Sequence, residues 1–176
     1  MFGHLRKLLS GVSSNDAGAA NDWYFEIMSK AREPRPFLIG AVDDTLEGRF
    51  GLVSLVSALV LRALREGGHR ALADAVYKEV FSGFDYGLRE EGVGDSSIAR
   101  KMRKMGEEFF GLARAVDGVL NGDTDEELGD VLTRNGVANP GFGGDLADWA
   151  KARVIELEAL DDLSLRAAKI GWSATA

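Results

Sequence analysis

The sequence predicts an all-α protein: a compact helical bundle of about six or seven helices, with a short N-terminal arm and a C-terminal helical tail. Apolar residues recur every three or four positions along most of the 176-residue chain, as they do on helices that bury one face. No stretch alternates apolar and polar residues as a half-buried strand does, and no Asn-Gly or Asp-Gly turn joins two such stretches. These observations favour helices over a sheet-based domain.

The chain is long enough for one domain with an ordinary core, since 45% of its residues are hydrophobic. A segment rich in Ser, Gly and Ala and a later one rich in Gly mark two breaks along it. We therefore expect an N-terminal arm at residues 1–20 and a helical main body at residues 21–140. A C-terminal helix at residues 141–176 is expected to pack on the same domain or to extend from it.

The first predicted helix begins after residue 21, where Trp23 starts a helical repeat of apolar residues. It ends before Pro34 and Pro36, because proline disfavours helical geometry in the residue that precedes it. An extended connector is then expected to run to about residue 45.

The most apolar helix is predicted at residues 46–66, where large apolar residues wrap most of the helix instead of forming one stripe. This pattern is typical of the central helix of a bundle. Gly67 and Gly68 predict its end, and a narrower apolar stripe predicts a second helix that reaches about Phe84. The two helices are expected to pack antiparallel, because their connection is short.

Three more helices are predicted in the second half of the chain. Asp95 is expected to cap a long helix whose apolar side chains recur at helical spacing. Thr124 and Glu127 have the spacing of a capping box, which predicts a short helix that ends near Arg134. A final helix is predicted at residues 145–170.

The composition excludes several functional classes. The net charge of -7 repels nucleic acid and anionic lipid at long range, so any such contact must use a local basic patch, and we expect no binding to DNA. The chain has no cysteine, which excludes disulfides and thiolate metal sites, and its two histidines, His4 and His69, lie far apart. It also has no phosphate-binding loop and no nucleophile with a matching base. We therefore predict a protein that is not an enzyme and that has no catalytic residues, no metal and no cofactor.

Two segments bear on the location of the protein. The N-terminal residues lack the sustained apolar core and the cleavage site of a secretory signal. The apolar run at residues 52–64 is too short to span a bilayer. We expect a cytoplasmic bacterial protein, at most peripheral to the inner membrane, or a protein of the mitochondrial matrix if the source is eukaryotic.

The most specific pattern lies at residues 85–95. Its glycines permit turns that other residues resist, so on physical grounds the segment connects two helices. The run Leu88-Arg89-Glu90, followed by Gly92-Val93-Gly94-Asp95, closely resembles the signature of the ubiquinol-cytochrome c chaperone family, a set of cytochrome b assembly factors. Further matching segments occur in the family's order at residues 31–34, 42–45, 47–50, 100–102 and 109–111. The resemblance covers roughly residues 30–135, although the family's arginine after Gly111 is Leu112 in this chain.

The resemblance implies a protein-binding function. The protein is expected to bind cytochrome b during the maturation of ubiquinol-cytochrome c reductase, with a second assembly factor, the ribosome or the membrane surface as further contacts. The candidate client-binding residues are Arg49, Phe50, Leu88, Arg89, Glu90, Val93 and Asp95. A plainer interpretation, in which these residues only set the geometry of helix ends, stays open.

Other features also have two interpretations. A basic patch either contacts ribosomal RNA, lipid phosphate or an acidic partner, or is a solvated helix face. The patch consists of Arg100, Lys101, Arg103 and Lys104.

His69 is the basis of an alternative function, a helical haem- or small-ligand-binding protein in the same pathway. Acidic residues near helix starts, such as Asp43 and Asp44, are read as helix-end acids and not as a cation site.

Overall fold

The computed structural model describes residues 14–90 and 92–173, and these residues contain eight helical segments and no strand. The prediction of an all-α bundle is confirmed. Residues 1–13 of the predicted arm, including His4, lie outside the described residues, as do Glu91 and residues 174–176. The helices are α1 (Ser14–Ala31), α2 (Arg35–Leu38), α3 (Leu46–Glu66), α4 (Arg70–Glu90), α5 (Asp95–Leu120), α6 (Leu128–Arg134), α7 (Gly143–Glu158) and α8 (Asp162–Arg166).

Helix α3 is the central helix of the bundle, as its apolar pattern predicts. Every residue from 51 to 61 is buried, and α1, α4, α5 and α7 all pack against this helix. The helix begins where the Thr45 hydroxyl accepts a hydrogen bond of 3.1 Å from the Gly48 amide. It ends at Gly67, and Gly68 then adopts a φ of 82°. Both ends are therefore specified by local chemistry that the sequence displays.

Two predicted boundaries near the N-terminus are wrong. Helix α1 already begins at Ser14, because small residues before Asn21 continue the helix. The connector after Pro34 is not extended throughout, since Pro34 and Pro36 lie at the start of the short helix α2. Proline is tolerated in a first helical turn, because the amide that it lacks has no partner there.

Helix α4 reaches Glu90, six residues beyond the predicted end at Phe84. Gly87 does not interrupt it, because a glycine inside a helix weakens the helix without breaking it. Residues 85–90 of the predicted connector are therefore part of α4.

The predicted capping box is also wrong. The Thr124 hydroxyl accepts a 3.2 Å hydrogen bond from the Glu126 amide, which forms a local turn before the helix. Helix α6 begins only at Leu128, and Glu127 is its N-cap residue without a side-chain cap. Thr124 therefore belongs to a turn before the helix, and Glu127 is the N-cap residue without the reciprocal side-chain bond of a capping box.

The predicted C-terminal helix is two helices followed by a tail. Helix α7 ends at Glu158, and the Asp161 carboxylate accepts a 2.7 Å hydrogen bond from the Ser164 amide to start α8. This segment packs on the body: the Trp23 indole donates a 2.9 Å hydrogen bond to the Leu165 carbonyl. A carboxylate cap inside a continuous apolar pattern explains the break.

The C-terminal tail is held by a buried ionic cluster between α1 and α7. Arg153 is fully buried, with its guanidinium 3.3 Å from Glu33 and 2.7 Å from Glu156. Lys30 also contacts Glu33 at 3.1 Å and donates to the Ser173 carbonyl at 3.1 Å. Two cations and two carboxylates thus neutralise one another inside the fold, as buried charges must.

Candidate functional site

An aromatic and methionine surface lies where α3, α4 and α5 meet. We call it the seam, and its residues are Phe50 of α3, Tyr77, Phe81 and Phe84 of α4, and Met102, Met105 and Phe109 of α5. Only Phe109 is fully buried, at 1% exposure, and the other six side chains are half-buried. The seam therefore presents apolar atoms to solvent along most of its length.

The rings of the seam form a continuous series. The Phe50 and Phe84 ring centroids are 5.1 Å apart, and those of Phe84 and Phe81 are 5.4 Å apart. Phe81 then contacts Tyr77 at 4.4 Å and Phe109 at 5.4 Å. These distances suit tilted and edge-to-face aromatic pairs, which stabilise the helix packing beyond simple burial. Burial also raises the pKa of the Tyr77 hydroxyl above its usual value.

The methionines lie on the α5 side of the seam. Met102 and Met105 precede Phe109 at spacings of seven and four residues, which places all three on one helix face. At Gly106 the two helices come close, because a β-carbon there would lie 3.9 Å from the Phe81 ring. Thioether side chains adapt to varied shapes, so this side of the seam can fit different apolar partners.

The signature segment closes the end of α4 as a Schellman motif. The Val93 amide donates to the Leu88 carbonyl at 3.1 Å, and the Gly92 amide donates to the Arg89 carbonyl at 2.9 Å. Gly92 has a φ of 77°, the left-handed conformation that this motif requires. Gly94, and not Asp95, is the N-cap residue of α5, so the predicted cap is displaced by one position. Asp95 is the first residue of that helix.

We expect the replacement of Gly92 by Ala to lower the free energy of unfolding by about 1 kcal/mol, because a β-carbon is strained in the left-handed region. Urea denaturation followed by circular dichroism measures this change. Gly111→Ala is the control, since Gly111 lies within α5 and a β-carbon there would meet no neighbouring side chain within 4 Å. That variant should be more stable than the original protein by about 0.5–1 kcal/mol. An unchanged stability of the Gly92 variant would contradict the Schellman geometry.

The candidate contact residues divide into buried and exposed groups. Leu88 is 7% exposed and lies one turn after Phe84 on α4, so it closes the end of the seam. Phe50 belongs to the seam itself, and Val93 is half-buried. Arg49, Arg89 and Glu90 are exposed. The structure therefore brings Phe50 and Leu88 to the seam and leaves the charged candidates in solvent beside it.

Both exposed arginines are ion-paired near the seam. The Arg49 guanidinium lies 2.6 Å from the Asp44 carboxylate, and its hydrogen bond lowers the pKa of that carboxyl group. The Arg89 guanidinium lies 2.7 Å from Asp85, one helical turn earlier. Such exposed pairs contribute little to stability, so these arginines can exchange their partners for others.

The acidic candidates and His69 have structural partners. The Asp43 carboxylate accepts a 2.7 Å hydrogen bond from the Asn139 side-chain amide. Among the described residues, no group of three histidine or acidic side chains has the geometry to hold a metal ion. His69 Nε2 lies 2.9 Å from the Asp162 carboxylate, which ties α8 to the start of α4. These contacts give the residues a role in packing.

Of the seven seam residues, sequence reasoning assigned only Phe50 to the site. Three of the six others lie on α5 at core spacing, namely Met102, Met105 and Phe109, and three lie on α4, namely Tyr77, Phe81 and Phe84. Their spacing along α4 predicts one helix face, but a stripe of apolar residues is normally interpreted as core. The available signal was the aromatic content of the stripe beside the signature segment. It predicts the face but not its partial exposure.

No described helix has both the length and the apolar character that crossing a bilayer requires. The described residues thus form an all-helical fold with a partly exposed apolar seam.

The sequence pattern of the ubiquinol-cytochrome C chaperone family matches residues 40–172, and the chain belongs to this family. The general role of the chain is that of an assembly chaperone for the cytochrome bc1 complex. The fold is similar to the crystal structure of the Cbp3 homolog from Brucella abortus, with a TM-score of 0.76 and 26% sequence identity. That alignment covers 98% of this chain and 97% of the other. No curated protein matches the chain by sequence.

Proposed function

We propose that the protein binds cytochrome b and holds it in an assembly-competent state until the cytochrome bc1 complex forms. The observation that carries the proposal is the seam, where six side chains are only partly buried between packed helices. Membership of the chaperone family supports a role in assembly of the cytochrome bc1 complex. The step is one of binding and release, and it needs no catalytic residue and no cofactor.

The chemistry of the seam suits a client that is itself apolar. Water is released when aromatic and methionine surfaces meet the apolar face of a client helix, at about 25 cal/mol for each Å² buried. Because the thioethers adapt in shape, the seam can release one segment and accept another. A membrane protein that has not yet acquired its partners exposes such segments.

The signature segment and the start of α3 frame this surface. We propose that Arg49 and Arg89 contact polar groups that flank the apolar client segment, while Phe50 and Leu88 contact the segment directly. Glu90, Val93 and Asp95 belong to the same end of the site. The exposed arginines can leave Asp44 and Asp85 for a client carboxylate at little cost, because their present ion pairs are exposed.

The proposed place of action is the compartment in which cytochrome b is made. In a bacterium this is the cytoplasmic side of the inner membrane, and in a eukaryote it is the mitochondrial matrix. The alternative, a haem- or small-ligand-binding protein, loses its main support because His69 contacts Asp162 and lies outside the seam.

Capture of cytochrome b from detergent-solubilised membranes of the source organism tests the proposal. The tagged chain should enrich cytochrome b, and the variant Arg49→Ala/Arg89→Ala should enrich it severalfold less. Met102→Gln should also reduce capture, because the amide places a polar group in the seam. Arg134→Ala/Arg166→Ala removes two exposed arginines elsewhere and should capture cytochrome b as well as the original chain does.

The outcomes separate the client from the site. If no form of the folded protein enriches cytochrome b, the proposed client is wrong. If the original and all variants enrich it equally, the client is right and the seam is not the contact surface. Circular dichroism of each variant establishes that a loss of capture is not a loss of folding.

A further inference from the structure

The outward face of α5 carries a concentration of positive charge that the client-binding seam does not use. Residues 98–106 contain four cations and no acid. The rest of the chain therefore carries a formal charge of -11, since the whole chain carries -7. The four cations are Arg100, Lys101, Arg103 and Lys104, and all of their side chains are exposed.

The orientation of α5 separates this charge from the seam. Met102, Met105 and Phe109 lie on the seam side of α5. The opposite face carries residues that recur at spacings of three and four, namely Arg100, Arg103, Phe110 and Arg114, together with one acid, Glu107. All five of these positions are exposed. We call this row, together with Lys101 and Lys104, the basic face.

The cations of the basic face are largely unneutralised by the protein. Lys104 lies 3.4 Å from Glu108, but both side chains are at least half exposed. Among the side chains that the structure describes, no carboxylate lies within ion-pair distance of Arg100, Lys101, Arg103 or Arg114. Clustered like charges without internal partners favour an anionic partner, because its approach relieves their mutual repulsion.

An apolar side chain interrupts this row of charge. Phe110 is 50% exposed, and its ring packs against Tyr77 at 5.4 Å, so half of the ring faces solvent beside Arg103 and Arg114. A helix face that combines clustered Lys and Arg with an aromatic residue is typical of docking on anionic lipid. The net negative charge of the chain opposes the approach of nucleic acid and of anionic lipid alike, so the exposed ring is the feature that favours lipid over nucleic acid.

We propose that the basic face docks the protein on a bilayer that contains anionic phospholipid headgroups. The inference rests on the proposed function for its purpose, because docking would hold the seam next to a membrane-embedded client. Phe110 connects the two surfaces, since its ring contacts Tyr77 of the seam. The docking itself requires no client.

Vesicle flotation with the purified full-length chain tests the docking. The chain should bind vesicles of phosphatidylcholine mixed with phosphatidylglycerol, should not bind vesicles of phosphatidylcholine alone, and should dissociate as salt is added. Each basic residue near an anionic surface changes partitioning roughly fivefold. Arg100→Glu/Arg103→Glu should therefore lower binding by more than about tenfold.

The control variant, Lys151→Glu/Arg166→Glu, changes the net charge by the same amount at exposed positions on α7 and α8. It should retain most of the binding. Residues 1–13, with Arg6 and Lys7, are identical in both variants, so a difference between the two reports on α5.

Three results would overturn the docking proposal. These are no binding to anionic vesicles at low salt, an equal loss of binding in both variants, or binding to single-stranded RNA that vesicles fail to compete. None of these results bears on capture of cytochrome b, because the assay contains no client. A failed docking test and a failed client test are therefore distinguishable.

Discussion

Replacement of Arg153 by Met is expected to lower the free energy of unfolding by about 3 kcal/mol, because Glu156 loses the buried cation that pairs with it and Glu33 keeps only Lys30 of its two cations. Arg153 is fully buried and lies within 3.3 Å of both Glu33 and Glu156. Its loss also removes the 3.3 Å hydrogen bond to the Ser173 hydroxyl, so the C-terminal tail should detach more readily. Urea denaturation followed by far-ultraviolet circular dichroism measures the change.

Circular dichroism is preferable to tryptophan fluorescence for this variant. The Arg153 guanidinium lies 5.3 Å from the centre of the Trp149 ring, so its removal changes the emission of the native state. Arg134→Met is the matched control, because Arg134 is exposed and pairs with Glu126 at 2.6 Å. Its stability should be unchanged within the error of measurement. Equal stabilities of the two variants would contradict the buried cluster.

Replacement of Gly48 by Ala is expected to cost about 3 kcal/mol, at the upper end of the range for overpacking. A β-carbon at this position would lie 2.1 Å from the Asp43 carbonyl oxygen and 3.1 Å from the Val42 side chain. The backbone before α3 must therefore move, and the Thr45 cap would be disturbed with it. Thermal and urea denaturation both measure this loss.

Gly87→Ala is the control for this effect. Gly87 lies within α4, and a β-carbon there would meet no neighbouring side chain within 4 Å. Ala has the higher helix propensity, so this variant should gain about 0.5–1 kcal/mol. If Gly48→Ala were as stable as Gly87→Ala, the close approach of Asp43 to α3 would be wrong.

Helix α3 could be predicted to the residue, because both of its ends have local signals. Thr45 caps it, Gly67 and Gly68 end it, and apolar residues surround it. The end of helix α4 could not be predicted in this way, because it depends on which glycine adopts the left-handed conformation. Gly87 stays helical and Gly92 adopts the left-handed conformation, and no local signal distinguishes the two glycines.

The ionic cluster was beyond sequence reasoning for a different reason. Glu33 and Arg153 are 120 positions apart, and charged residues on helices are normally solvated. Nothing local indicates that Glu33, which follows α1, lies against Arg153 of α7. Only the tertiary structure brings the two charges together.

The site was predicted in part. The resemblance to a family identified Phe50 and Leu88, and the structure places Phe50 in the seam and Leu88 at its end. The aromatic residues of α4 share the periodicity of core residues, so their partial exposure depends on how closely α5 approaches. Periodicity gives the face of a helix, but it does not give the distance to its neighbour.

Deletion of the gene in the source organism tests the central claim most directly. Assembled cytochrome bc1 complex is measured on native gels of solubilised membranes, together with the b-type haem spectrum, with and without a plasmid copy of the gene. An assembly chaperone for cytochrome b predicts loss of the complex and of its b-type haem signal, with both restored by the plasmid. A fully assembled complex at normal abundance in the deletion strain would contradict the claim.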